Sequence, residues 1–94
     1  MPLASSLQDP EVILFTADKC VFCGPVREQL TSLQRLYPFT IREINLTRDG
    51  GNGAILAEKY KIRSLPAVVV SGAQRLTGFL AQEELENALI RHLF

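Results

Sequence analysis

Cys20 and Cys23 are the residues of this sequence whose type and spacing best fit chemistry. Only Val21 and Phe22 separate them, so their thiols can meet across one helical turn. One sulfur can attack a disulfide, and the other can resolve the mixed disulfide that results. A C-x-x-C next to a strand–helix–strand pattern is a redox signature. Cys20 is expected at the N-terminus of a helix, where unpaired N–H groups and the positive dipole end stabilise a thiolate. Lys19 adds a neighbouring positive charge as a thiolate-stabilising candidate. Cys23 is expected deeper along the helix and less exposed. Cys20 is therefore the candidate nucleophile and Cys23 the candidate resolver. A dithiol carries two electrons itself, so no cofactor is expected.

Other readings compete with this one. Two cysteines can simply pack in a core. They can also be half of a metal site, but structural zinc needs four ligands, usually Cys or His. The chain has two cysteines and one histidine, His92, near its far end. No metal is expected within one chain; a cluster bridging two chains stays open as an alternative. His92 reads as a helix-terminal residue favoured by the dipole. Phe22 is a candidate substrate contact, with core packing as its alternative. Gly50 to Gly53 lacks the spacing and following Lys-Ser/Thr of a phosphate-binding loop, so it reads as a turn.

The elements that must position the pair follow from length and pattern. With 94 residues the chain fits one domain, residues 1–94, with 1–10 as a loose leader. It is 47% hydrophobic and 21% charged, which argues against disorder. Ten basic residues balance ten acidic ones, so nucleic acid and anionic membranes are not expected partners. No apolar run approaches the roughly 20 residues of a membrane span. The N-terminal residues Met1 to Ser6 do not read as a signal peptide, so a reducing, cytoplasmic location is expected. The expected state is a monomer.

Val12-Ile13-Leu14-Phe15 reads as a strand buried on both faces. Val26, Leu30, Leu33 and Tyr37 recur at helical spacing from Cys23 until Pro38. Thr40 to Leu46 reads as a more peripheral strand. A short helix is expected near Ala54 to Tyr60, after the turn cluster Asp49 to Gly53. Ala67 to Val70 is a second buried strand, and Ser71-Gly72-Ala73 links it as a hairpin to a strand around Gln74–Thr77. Ala81 to Leu93 reads as a helix burying Leu85, Ala88 and Leu89, with Glu83 and Glu84 in its first turn. The expected class is α/β, in the order β-α-β-α-β-β-α. The first two strands should be parallel and the last pair antiparallel, in a mixed four-stranded sheet.

From about Val12 to Leu93 the chain resembles the thioredoxin and glutaredoxin superfamily. The carriers are Val12-Ile13-Leu14-Phe15-Thr16, Cys20-Val21-Phe22-Cys23, Arg63-Ser64-Leu65-Pro66 before the strand Ala67–Val70, and Gly78. The resemblance implies a thioredoxin-like fold and a thiol–disulfide oxidoreductase acting on protein or small-molecule disulfides. It implies a cis Leu65-Pro66 bond facing the cysteines, with Leu65, Pro66 and Gly78 contacting substrate. Three features depart from the thioredoxin pattern. Lys19 stands where thioredoxins carry Trp, Gly24-Pro25 follows the second cysteine, and Leu14 occupies the place of a buried acid. Phe22 is closer to the glutaredoxin motif. However, Thr77 to Glu83 does not match the Gly-Gly pair and Asp that hold glutathione. The expected electron donor is therefore a thiol reductase. The rival functions are a non-catalytic peptide-binding module of the same fold and a metal or cluster carrier.

Overall fold

The computed structural model describes residues 10–70, 74–77 and 82–93. Its elements in chain order are β1 (Glu11–Thr16), α1 (Cys23–Gln34), β2 (Thr40–Asn45), α2 (Gly51–Lys59), β3 (Ala67–Val70), β4 (Gln74–Thr77) and α3 (Gln82–Leu93). The sheet runs β2-β1-β3-β4. β1 and β2 are parallel, while β3 is antiparallel to both β1 and β4. This is the expected mixed four-stranded arrangement. The residues linking β3 to β4 lie outside the described set.

β1 is central because its sequence offers no polar face until its end: every residue from Val12 to Thr16 is buried. Alternate side chains feed two cores. Val12 and Leu14 pack with Val26, Leu30 and Leu33 of α1 and with Leu85 and Leu89 of α3. Ile13 and Phe15 pack with Ile44, Ala67 and Val69, against Leu56 and Ala57 of α2. Two helices thus cover one face of the sheet and one covers the other. Burying each large apolar side chain contributes about 1.5–3 kcal/mol, well above what any surface ion pair supplies. β2 is one of the two edge strands and alternates imperfectly, with Ile44 buried and Arg42 and Glu43 exposed.

The C-terminal end of α1 and the start of α2 each differ from the sequence expectation by three residues. α1 ends at Gln34 rather than Tyr37, because Pro38 disfavours a helical conformation at the preceding residue. The N–H groups of Leu36 and Tyr37 both donate to the Leu33 carbonyl in a tighter turn, which keeps Tyr37 against the core. There the Tyr37 hydroxyl donates to Glu86 of α3.

α2 begins at Gly51, three residues before the expected start. Gly51 to Gly53 is its first turn and not part of a loop, which corrects the turn reading of that cluster. Gly50 supplies the entry with a φ of 65°, a conformation open to glycine. Gly53 has a different reason: a Cβ there would lie 3.0 Å from Asp49 Cβ and 3.2 Å from both Ile44 Cγ2 and Leu46 Cδ2. It lets α2 sit close on the edge strand β2.

α2 ends at Lys59, and Lys61 follows it with a φ of 56°. The N–H groups of Lys61 and Ile62 donate back to Glu58 and Ala57, which turns the chain toward Arg63.

Candidate dithiol site

Three connections meet at one end of the sheet. In the register, Thr16 faces Asn45 and Phe15 faces Ala67. The β1–α1 loop, the β2–α2 loop and the segment before β3 therefore leave the sheet side by side.

Cys20 lies in the first of these connections, and its N–H donates to the Ala17 carbonyl at 3.3 Å. It is not at the first residue of the helix, as expected from sequence; α1 begins at Cys23, with Phe22 as its N-cap. Pro25 explains the shift. In a helix running through Cys20, the Pro25 nitrogen would have to donate to the Val21 carbonyl, and proline has no N–H. The first intrahelical donor is accordingly Val26, bonded to the Phe22 carbonyl at 3.1 Å. Cys20 precedes the N-terminal turn of α1, on the side of its unpaired N–H groups.

Cys20 and Cys23 form a disulfide, with their Cα atoms 5.4 Å apart. Cys20 is half-buried, whereas Cys23 is 2% exposed. Only one of the two sulfur positions therefore offers an approach from solvent. Among the described residues no three His, Cys, Asp or Glu side chains gather to hold a metal.

A cleft opens beside Cys20, walled by residues 17–22, Thr47, Arg63, Ser64 and Leu65. Val21 is 80% exposed and Phe22 51% exposed at its rim. Lys19 is exposed, Leu65 is half-buried and Pro66 is buried. The Leu65-Pro66 peptide bond is cis. Lys19, Phe22 and Leu65 thus share the cleft with Cys20, and Pro66 follows it directly. Gly78 lies outside the described residues, as do residues 79–81 of the stretch compared with the glutathione-holding pattern.

Polar contacts tie the Cys20 loop to the neighbouring connection. The Asp18 N–H donates to Thr47 Oγ1 at 3.1 Å. The Asp18 carboxylate accepts from Asn45 Nδ2 at 3.0 Å and from Arg48 Nε at 2.9 Å. Asn45 Oδ1 in turn accepts from the N–H groups of Thr47 and Arg48.

A second cluster lies one turn along α1 from Cys23. Arg27 donates twice to the Glu43 carboxylate, at 2.7 Å each, and buried Thr16 donates to it at 2.9 Å. The Arg27 hydrogen bonds foremost, with that of Thr16, hold the Glu43 carboxyl below the usual carboxylate range. Glu43 likewise raises the Arg27 guanidinium.

Sequence reasoning missed Asp18, Thr47 and Arg63 as lining the cleft beside Cys20, Arg48 as the partner of Asp18, and Val21 as an exposed rim residue. The one available signal was the position of Arg63, just ahead of Leu65-Pro66.

What the sheet and its bonded cysteine pair define is a thiol–disulfide redox domain of thioredoxin-like fold. The fold is shared with an uncharacterized thioredoxin-like protein from Clostridium perfringens, at a TM-score of 0.74 and 20% identity over 89% of this chain and 71% of that one. It is shared with oxidised thioredoxin O2 from Arabidopsis thaliana, at 0.73 and 20% over 93% and 77%. A mutant thioredoxin from Halobacterium salinarum NRC-1 gives 0.74 and 18% over 96% and 80%. Residues 11–90 match the glutaredoxin-like domain (DUF836), and the chain belongs to that family. A comparison with the curated proteins finds no match.

Proposed function

We propose that the chain is a thiol–disulfide oxidoreductase that reduces disulfides of proteins or small molecules. The Cys20 thiolate attacks one sulfur of the substrate disulfide. A Cys20–substrate disulfide forms and the other substrate sulfur leaves as a thiolate. The Cys23 thiolate then attacks Cys20 Sγ, closes the Cys20–Cys23 disulfide and releases the second substrate thiolate. Two electrons pass to the substrate, and a thiol reductant of the surrounding compartment, taken to be the cytoplasm, returns the pair to the dithiol. Lys19 and the start of α1 favour the thiolate at Cys20.

The observation that carries this reading is the difference in access: Cys20 opens on the cleft, while its bonded partner Cys23 is 2% exposed. The roles are separable by trapping. Cys23→Ser should accumulate a mixed disulfide with substrate at Cys20, because the resolving thiol is gone. Cys20→Ser should trap little, because buried Cys23 cannot be reached. Equal trapping by both variants would overturn the assignment.

A further inference from the structure

The chain as a whole is neutral, with ten cations and ten anions, so a charged surface must arise from local placement. The rim of the cleft has such a placement. Lys19 adjoins Cys20 and is exposed. Arg63 stands on the opposite connection, its side chain 71% exposed. Its one ion pair among the described residues is with Glu58, at 3.9 Å and itself 77% exposed, a separation and exposure at which a pair holds little. The cleft's one carboxylate, Asp18, is already engaged by Arg48 at 2.9 Å and by Asn45 at 3.0 Å. Its charge is offset locally, and Lys19 and Arg63 are left as the cations facing an incoming ligand. The same cleft also offers apolar surface: Val21 is 80% exposed at its rim, and Leu65 is among its lining residues.

Resting on the exchange reaction proposed above, we infer that the preferred substrate is a protein disulfide in an exposed segment that pairs an apolar residue with flanking acidic residues. The apolar side chain lies on Val21 and Leu65, and the carboxylates meet Lys19 and Arg63. Charges at the edge of such a contact mainly select partners and speed encounter. They also reject segments whose disulfide is flanked by lysine, since like charges would then face each other across the cleft.

The test uses three cystine-bearing peptides of one sequence, with Glu, Gln or Lys at the flanking positions, alongside a small uncharged disulfide. The reduced full chain is the reactant, and the second-order rate constant of its oxidation by each disulfide is the readout. Wild type should favour Glu over Lys by about three- to tenfold, as expected for one or two exposed pairs. Higher salt should compress the ratio. Lys19→Gln with Arg63→Gln should level it, and Lys19→Glu with Arg63→Glu should invert it. Because the readout is a ratio within one variant, any effect of Lys19 on the reactivity of Cys20 cancels. Equal rates for the three peptides in wild type, or a preference for Lys, would overturn the inference and leave the oxidoreductase reading intact. Failure to reduce any peptide or the uncharged disulfide would remove both.

Discussion

Asp18 is the residue whose chemistry conflicts most with the proposed reaction. A carboxylate two positions before Cys20 opposes a thiolate there, since like charges disfavour each other. Arg48 answers that charge at 2.9 Å, although its side chain is 74% exposed. As a stability element such a pair is worth little, but as a local charge balance two residues from Cys20 it is expected to act on the thiolate. Arg48→Gln should therefore slow the reaction of Cys20 with a thiol reagent near neutral pH by about twofold or more. Asp18→Asn in the same background should restore the rate. Lack of rescue would mean that Arg48 only shapes the loop. Cys20 and Cys23 were legible in the sequence because their spacing is local. Asp18 and Arg48 were not, since 30 positions separate them and only the parallel pairing of β1 with β2 brings their loops together.

At the scale of elements, α1 is fixed in its first two turns. Pro25 sets where it begins, and the Arg27–Glu43–Thr16 cluster fastens its second turn to β1 and the edge strand β2. The apolar periodicity of α1 was readable from sequence, but its true start was not, because the decisive constraint is one missing N–H rather than a hydrophobic pattern. α2 was misplaced for a related reason: Gly53 looks like a turn residue, yet it is there for close contact with Ile44 and Leu46. The clamp carries a pH signature. Glu43 has its folded pKa lowered from 4.5, so its contribution is complete above that unfolded value and fades as pH falls through the lower folded one. With side chains 47% and 31% exposed, solvent screening limits the pair to about 1 kcal/mol at pH 7. Urea unfolding should show wild type more stable than Glu43→Gln by that amount at pH 7, with the gap closing as pH falls below 4.5. A gap that stays constant on acidification would assign the effect to packing instead.

For the molecule as a whole, the proposed reaction needs a donor that returns the disulfide to the dithiol. The layered sheet was readable from the two buried runs, Val12 to Phe15 and Ala67 to Val70, but the shape of the cleft was not, because it is made by loops. That shape bears on the donor. Glutathione is small and must be held by donors positioned for its carboxylates, and Thr77 to Glu83 lacks the Gly-Gly and Asp pattern that does this in glutaredoxins. Glu83 is a poor substitute, since its carboxylate repels the ligand's own unless it meets the ammonium group. A protein reductase has other means. It can cover a broad area, and here Val21 and Phe22 are 80% and 51% exposed beside Cys20, apolar surface whose burial favours a large partner. A reductase of the thioredoxin-reductase type should therefore recharge Cys20–Cys23 faster than glutathione does. The comparison supplies each donor in turn, glutathione together with its own reductase, to the same chain and disulfide substrate, and measures turnover. Val21→Ser should slow the protein donor while leaving the glutathione rate nearly unchanged, because only the larger partner reaches across that rim. Faster turnover with glutathione would give this glutaredoxin-like chain the activity of a glutaredoxin, and would show that its grip on the tripeptide comes from residues other than the usual pattern.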